Sequence, residues 1–189
     1  MRFDQHSNGL SDWDAEDVSF NAWLQNLETV TNATGHQRVA ILGLSQGCSA
    51  AVAYTVRHPE CASHLLLYGG YLRKRNHRGS KDVFSQEEAM ISFIPSGWGQ
   101  NNPAFRQIFT SLFVHDGTTK QMDWFNELQR RTQKSINVME LGRQVTTPTL
   151  VLHACDDNAV AALEEGRRMA TAFPCIRFIA LERRNHIVL

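Results

Sequence analysis

The sequence predicts an α/β protein: a mostly parallel sheet with flanking helices, interrupted by an inserted helical cap. Three observations carry this prediction. Short continuous apolar runs at Val39–Leu42, Leu65–Tyr68, Thr149–His153 and Ile176–Leu181 read as strands, the first two buried on both faces. Helical patterns alternate with these runs, and strand–helix alternation builds a parallel sheet. The alternation breaks between residues 72 and 146, where helical stretches and aromatic residues crowd together.

In chain order, residues 1–17 carry turn and cap residues, Ser7-Asn8-Gly9 and then Ser11-Asp12. Phe20, Trp23, Leu24, Leu27 and Val30 recur at spacings of three and four, which predicts an amphipathic helix stopped at Gly35. The first strand follows. The small residues from Gly47 to Ala53 then open a close-packing helix that ends near His58-Pro59. Leu65–Tyr68 forms the second strand, closed by Gly69-Gly70. Within 72–146, helices are expected over Val83–Ile94, from Asn102-Pro103 and from Thr118, the last two opened by cap residues. Beyond it come the strand at Thr149, a helix from Leu163 to Phe173 and the strand at Ile176. The domain reading is therefore a core of 1–71 and 147–189 with a helical cap over 72–146.

The chain has 189 residues, enough for one domain with an inserted lid. Hydrophobic residues make up 42% and charged residues 20%, which excludes a disordered chain. Lys plus Arg and Asp plus Glu are equal at 19 each, so a nucleic-acid partner and an anionic membrane surface are not expected. No apolar run approaches the ~20 residues of a membrane span. Met1-Arg2-Phe3-Asp4 does not open like a signal peptide. Cys48, Cys61, Cys155 and Cys175 form no CxxC pair and are expected as buried, reduced thiols, which with the absent leader predicts a cytoplasmic protein.

The sharpest local signal is Gly43-Leu44-Ser45-Gln46-Gly47, a G-x-S-x-G stretch with a strand leading in and a helix leading out. A serine on so tight a turn needs small neighbours, and glycine on both sides removes Cβ atoms that would block the helix. The turn lifts Oγ above the sheet edge and aims the Gln46 backbone N–H, at a helix N-terminus, toward an oxyanion. A serine hydroxyl needs a base, and the base an orienting acid. Asp156 or Asp157 after one strand, and His186 after another, supply them in the order Ser, acid, His, all at carboxyl ends of parallel strands.

These residues resemble the α/β-hydrolase superfamily, in its serine-nucleophile branch, over nearly the whole chain. The resemblance is closest to hydrolase domains found alone or beside nucleotide cyclases and helix-turn-helix regulators. It is carried by Arg2-Phe3-Asp4-Gln5 with Asn8–Asp12, by Gly43–Gly47, by Arg57-His58-Pro59-Glu60, by Pro148–Asp157 and by Asn185-His186. It implies Ser45 as nucleophile, Asp157 rather than Asp156 as acid, His186 as base and Gln46 as oxyanion donor. It implies no cofactor, and a small-molecule, largely apolar carboxylic ester as substrate. The implied reaction runs through an acyl-enzyme, and serine in place of aspartate sets aside the epoxide hydrolase and dehalogenase branches.

The family pattern also differs from this chain. His6-Ser7 stands for an Arg-Gly pair, and Ala159-Val160-Ala161 stands where a proline is usual. The chain is expected to begin at the family's fourth strand, without the loop that supplies a second oxyanion N–H. One lost donor lowers a rate by about 10²–10³. A second reading is therefore a catalytically idle ligand-sensing or protein-interaction module, and a third is a cofactor-free perhydrolase. Strand Val39–Leu42 would also present an open edge, which Arg2–Asp4 or a second copy of the chain, as a homodimer, is expected to cover.

Among the cap aromatics, Trp98 and Phe125 are expected to face the serine. The arginine-rich stretch Arg73–Arg78 is expected to be solvated at the cap hinge. The histidines show no HxxxH or HExxH spacing, so no metal site is expected. His153, on a strand, is expected to be a hydrogen-bonded core residue.

Overall fold

Ser19 starts the first helix, α1 (Phe20–Ala33), by accepting the Ala22 N–H on its hydroxyl at 3.2 Å. Its own N–H is held by Asp17 at 2.8 Å, which keeps that carboxyl below the usual carboxylate range. Trp23 and Leu24 turn the buried face of α1 inward. In the computed structural model the described residues are 1–6, 9–12, 15–73, 137–157 and 163–182. The remaining elements are β1 (Val39–Leu44), α2 (Gly47–Arg57), β2 (Ala62–Tyr68), α3 (Met139–Gly142), β3 (Thr149–Ala154), α4 (Leu163–Ala172) and β4 (Ile176–Leu181).

The four strands form one sheet in the order β1-β2-β3-β4, and every pair is parallel. In register, Leu44 lies beside Tyr68 and Tyr68 beside Leu152. Helix α2 packs on β1 and β2, α4 on β3 and β4, and α3 touches both helices. The core sits between these helices and one face of the sheet, where Ile41, Leu65, Leu67 and Val151 meet Leu24, Cys48, Val52, Met169 and Phe173. Leu72, Val138 and Val145 join the same core. Most of the cap read over 72–146, with its three expected helices, lies outside the described residues.

Three expectations are corrected. β1 is buried on one face only. Ile41 is buried, whereas Ala40, Leu42 and Leu44 are exposed, because the described helices pack on the opposite face of the sheet. Arg2–Asp4 does not enter the described sheet. Asp4 instead ties a local loop, accepting the Leu10 N–H at 3.1 Å on its carboxylate and the Ser11 hydroxyl at 2.6 Å on its carbonyl. The cysteines are free but not uniformly buried: Cys48 is, Cys61 and Cys155 are half-buried, and Cys175 is exposed where the chain turns into β4.

Candidate active site

Ser45 follows β1 directly and is held at φ 50°, the one positive φ of a non-glycine residue among the described residues. That region costs an L-residue about 1–2 kcal/mol, so the surrounding structure must enforce it. Two contacts do so. The Ser45 N–H donates to Tyr68 O at 2.8 Å, extending the β1–β2 ladder by one bond. The Cys48 N–H donates back to Ser45 O at 3.1 Å and closes the first turn of α2. Gln46 follows in helical conformation at φ −60°, ψ −31°, so its N–H stands at the start of α2. Ser45 and Gln46 are both half-buried.

The close approach of α2 to the sheet depends on Gly43 and Gly70. A Cβ on Gly43 would lie 2.7 Å from the Cys48 Cα, a backbone atom that cannot move aside. One on Gly70 would lie 2.2 Å from Cys48 Sγ. Gly47 differs from the sequence expectation, because a Cβ there meets nothing within 4 Å. Only the first glycine of the motif is demanded by packing. Cys48 fills the space beneath the turn, and its thiol donates to Gly43 O at 3.1 Å. Burial pushes this thiol up to about 12, so it stays a neutral, unreactive group under the serine.

Asp157 lies three residues past β3, in a turn where its N–H reaches Ala154 O at 3.4 Å. Its side chain is buried, whereas Asp156 is exposed. His153 Nε2 stands 3.8 Å from Asp157 Oδ2, too far for a hydrogen bond but in contact across a closed interior. Gly166 of α4 lies against the His153 ring, 3.0 Å from where a Cβ would stand. β3 thus brings Asp157 out on the same rim of the sheet as Ser45, with β2 between them. Two strand spacings separate the strands, about 10 Å. β4 ends on that rim as well, Leu181 lying beside Ala154. His186, five residues further on, lies outside the described residues, as do Trp98 and Phe125.

A buried ion pair supports this region. Glu165 on α4 is fully buried and receives the Arg73 guanidinium on both carboxylate oxygens, with Arg168 at 3.7 Å. Arg73 is therefore anchored rather than solvated, while Lys74–Arg78 lies outside the described residues. Sequence reasoning missed this pair, although a signal existed. Glu165 precedes Met169 by four and Phe173 by eight residues, on the inward stripe of α4. Between α3 and α4 a cavity of about 300 Å³ is lined by Arg73, Met139, Arg143, Arg168, Thr171 and Ala172, none of them a predicted site residue. Among the described residues no cluster of His, Cys, Asp and Glu could hold a metal ion. No helix among them is long and apolar enough to cross a membrane.

A strand, a strained serine turn and a helix, with an acid past a later parallel strand, form a recurrent architecture. Comparison with solved structures places it. An α/β fold family hydrolase from Bacillus anthracis superposes with a TM-score of 0.72 at 16% identity, over 97% of this chain and 74% of that one. The chain has the α/β-hydrolase fold. An esterase from Exiguobacterium antarcticum matches with a TM-score of 0.67 at 18% identity, over 95% of this chain and 71% of its own. An α/β hydrolase enzyme from a Medee basin deep-sea metagenome library matches with a TM-score of 0.71 at 15% identity, over 95% and 70%. No protein-family model and no curated protein matches the chain.

Proposed function

We propose that this α/β-hydrolase fold serves a serine hydrolase that cleaves a small, largely apolar carboxylic ester. The observation that carries the reading is the Ser45 backbone at φ 50° between β1 and α2. Strain of this kind persists where structure over-determines a functional residue, and here it lifts a hydroxyl off the carboxyl rim of the sheet. Supporting it, Asp157 is buried past β3 on the same rim, and β4 ends on that rim at Leu181, five residues before His186 in the sequence.

In the proposed reaction Ser45 Oγ bonds to the ester carbonyl carbon while His186 takes its proton. The carbonyl oxygen, now an oxyanion, accepts a hydrogen bond from the Gln46 N–H at the start of α2. Collapse breaks the C–O bond, and His186 returns its proton to the departing alkoxide. Water then attacks the acyl-serine, giving its proton to His186, and the acid is released with Ser45 restored. Asp157 orients the imidazole and balances its positive charge. Trp98 and Phe125, read from the sequence, would give the acyl group an apolar wall. The chemistry calls on no cofactor.

The reading is tested by hydrolysis of short-chain nitrophenyl esters. Ser45→Ala is expected to lower kcat/KM by about 10³-fold or more, with His186→Ala and Asp157→Asn also impaired. Unchanged turnover in folded Ser45→Ala would contradict it.

A further inference from the structure

His153 is the last residue but one of β3, and its side chain is fully buried. It shares a face of the strand with Thr149 and Val151, both buried, and α4 packs on β3 there. An apolar side chain would fill such a seat without taking two ring nitrogens out of water. A buried imidazole therefore calls for a polar contact. One is present: His153 Nε2 stands 3.8 Å from Asp157 Oδ2, and both side chains are closed off from solvent.

Two features build this contact. After β3 the chain turns, with the Asp157 N–H reaching back to Ala154 O at 3.4 Å, and the turn brings Asp157 against the residue four positions earlier. On the other side of the ring lies Gly166, inside helix α4, where glycine weakens a helix. The ring accounts for it, since a Cβ at 166 would stand 3.0 Å from Cβ, Cγ and Nδ1 of His153. β3, its turn and α4 thus hold one imidazole and one carboxylate together. Asp156, a single position earlier, is exposed instead.

We propose that His153 is a positioning residue for Asp157, a role that rests on the serine-hydrolase reading above. The ring carries a proton on Nε2 and presents it to Oδ2. This sets the plane of the carboxylate and turns Oδ1 to the reacting base, His186. Asp157 then works between two imidazoles, one that holds it and one that it orients. Hydrogen bonds among catalytic groups are commonly long in a free enzyme and tighten in the complex with substrate. The contact from Nε2 to Oδ2 tightens in this way as positive charge develops on the base. His153 itself is closed off from any substrate, so its loss leaves binding intact and slows the steps in which the base becomes charged.

The test compares His153→Gln with His153→Met in nitrophenyl ester hydrolysis. The two side chains are alike in length and volume, and only glutamine keeps an N–H at the same bond count from Cβ as Nε2. His153→Met is expected to lower kcat about tenfold with KM unchanged, and His153→Gln to recover most of that loss. A merely structural histidine would leave kcat per folded chain the same in both. Nitrogen NMR of the imidazole in the unmodified chain, assigned by its loss from His153→Gln, is expected to place the proton on Nε2 and to shift in Asp157→Asn. That spectrum decides the matter if His153→Met fails to fold. A proton on Nδ1 alone, an unchanged kcat in folded His153→Met, or His153→Gln no better than His153→Met would overturn the proposal while Ser45-dependent turnover stands. Should the unmodified chain show no turnover that Ser45→Ala abolishes, the hydrolase reading falls and the positioning role falls with it.

Discussion

Ser45 and the glycines around it divide a familiar motif into parts with different physical duties. Gly43 makes room for the helix backbone, because a Cβ there would stand 2.7 Å from Cys48 Cα. Gly47 has open space around it. Gly43→Ala is therefore expected to destabilise the fold by about 2 kcal/mol or more through overpacking. Gly47→Ala should be neutral or stabilising by about 0.5–1 kcal/mol, as expected where alanine replaces glycine in a helix. Urea denaturation of both variants checks the contrast. The motif's letters were legible in the sequence, but the asymmetry was not, since it arises from contact with Cys48 and not from local spacing. Cys48 carries a second prediction. Burial pushes its thiol up from 9.0 to about 12 in the fold. The unfolded chain therefore loses this proton first as pH rises. The stabilisation is whole below pH 9 and is lost between pH 9 and about 12. Stability should fall more from pH 8 to pH 10 in the unmodified protein than in Cys48→Ala, measured by denaturant midpoints at each pH.

At the scale of elements, α4 shows what periodicity reveals and what it conceals. The helix over Leu163–Ala172 and its neighbouring strands follow from apolar spacing. The fully buried Glu165 does not, because its partner Arg73 is 92 positions away in the chain. Arg73 stands five residues after β2, so the pair fastens that segment to α4. Removing one partner leaves the other charge without its counter-ion in a closed site. Glu165→Ala is expected to cost about 3 kcal/mol, the lower end for a buried pair because Arg73 keeps partial exposure, and the double change Arg73→Met with Glu165→Leu should recover most of it. Equilibrium urea unfolding of the singles and the double provides the check. The burial of Asp157 beside an exposed Asp156 was likewise beyond sequence reasoning alone. Neighbouring residues share composition and spacing, and only the turn after β3 decides which one faces inward.

For the whole molecule, the parallel order of β1 to β4 and the α/β layering were legible because continuous apolar runs alternate with helical patterns. One-sided burial was not. Val39–Leu42 reads as a strand covered twice, yet the described helices gather on one face and leave Leu42 and Leu44 open. Apolar content records what a strand could bury, not whether an element is present to cover it. The same arrangement brings the chain out on one rim at Ser45, at Asp157 and at Leu181, the rim where open α/β sheets place their sites. The most direct measurement is intact-mass analysis after treatment with an alkyl phosphonate that traps activated serines. A single adduct per chain is expected, mapped to Ser45 and absent from Ser45→Ala. Folded protein that takes up no adduct at Ser45 would contradict it.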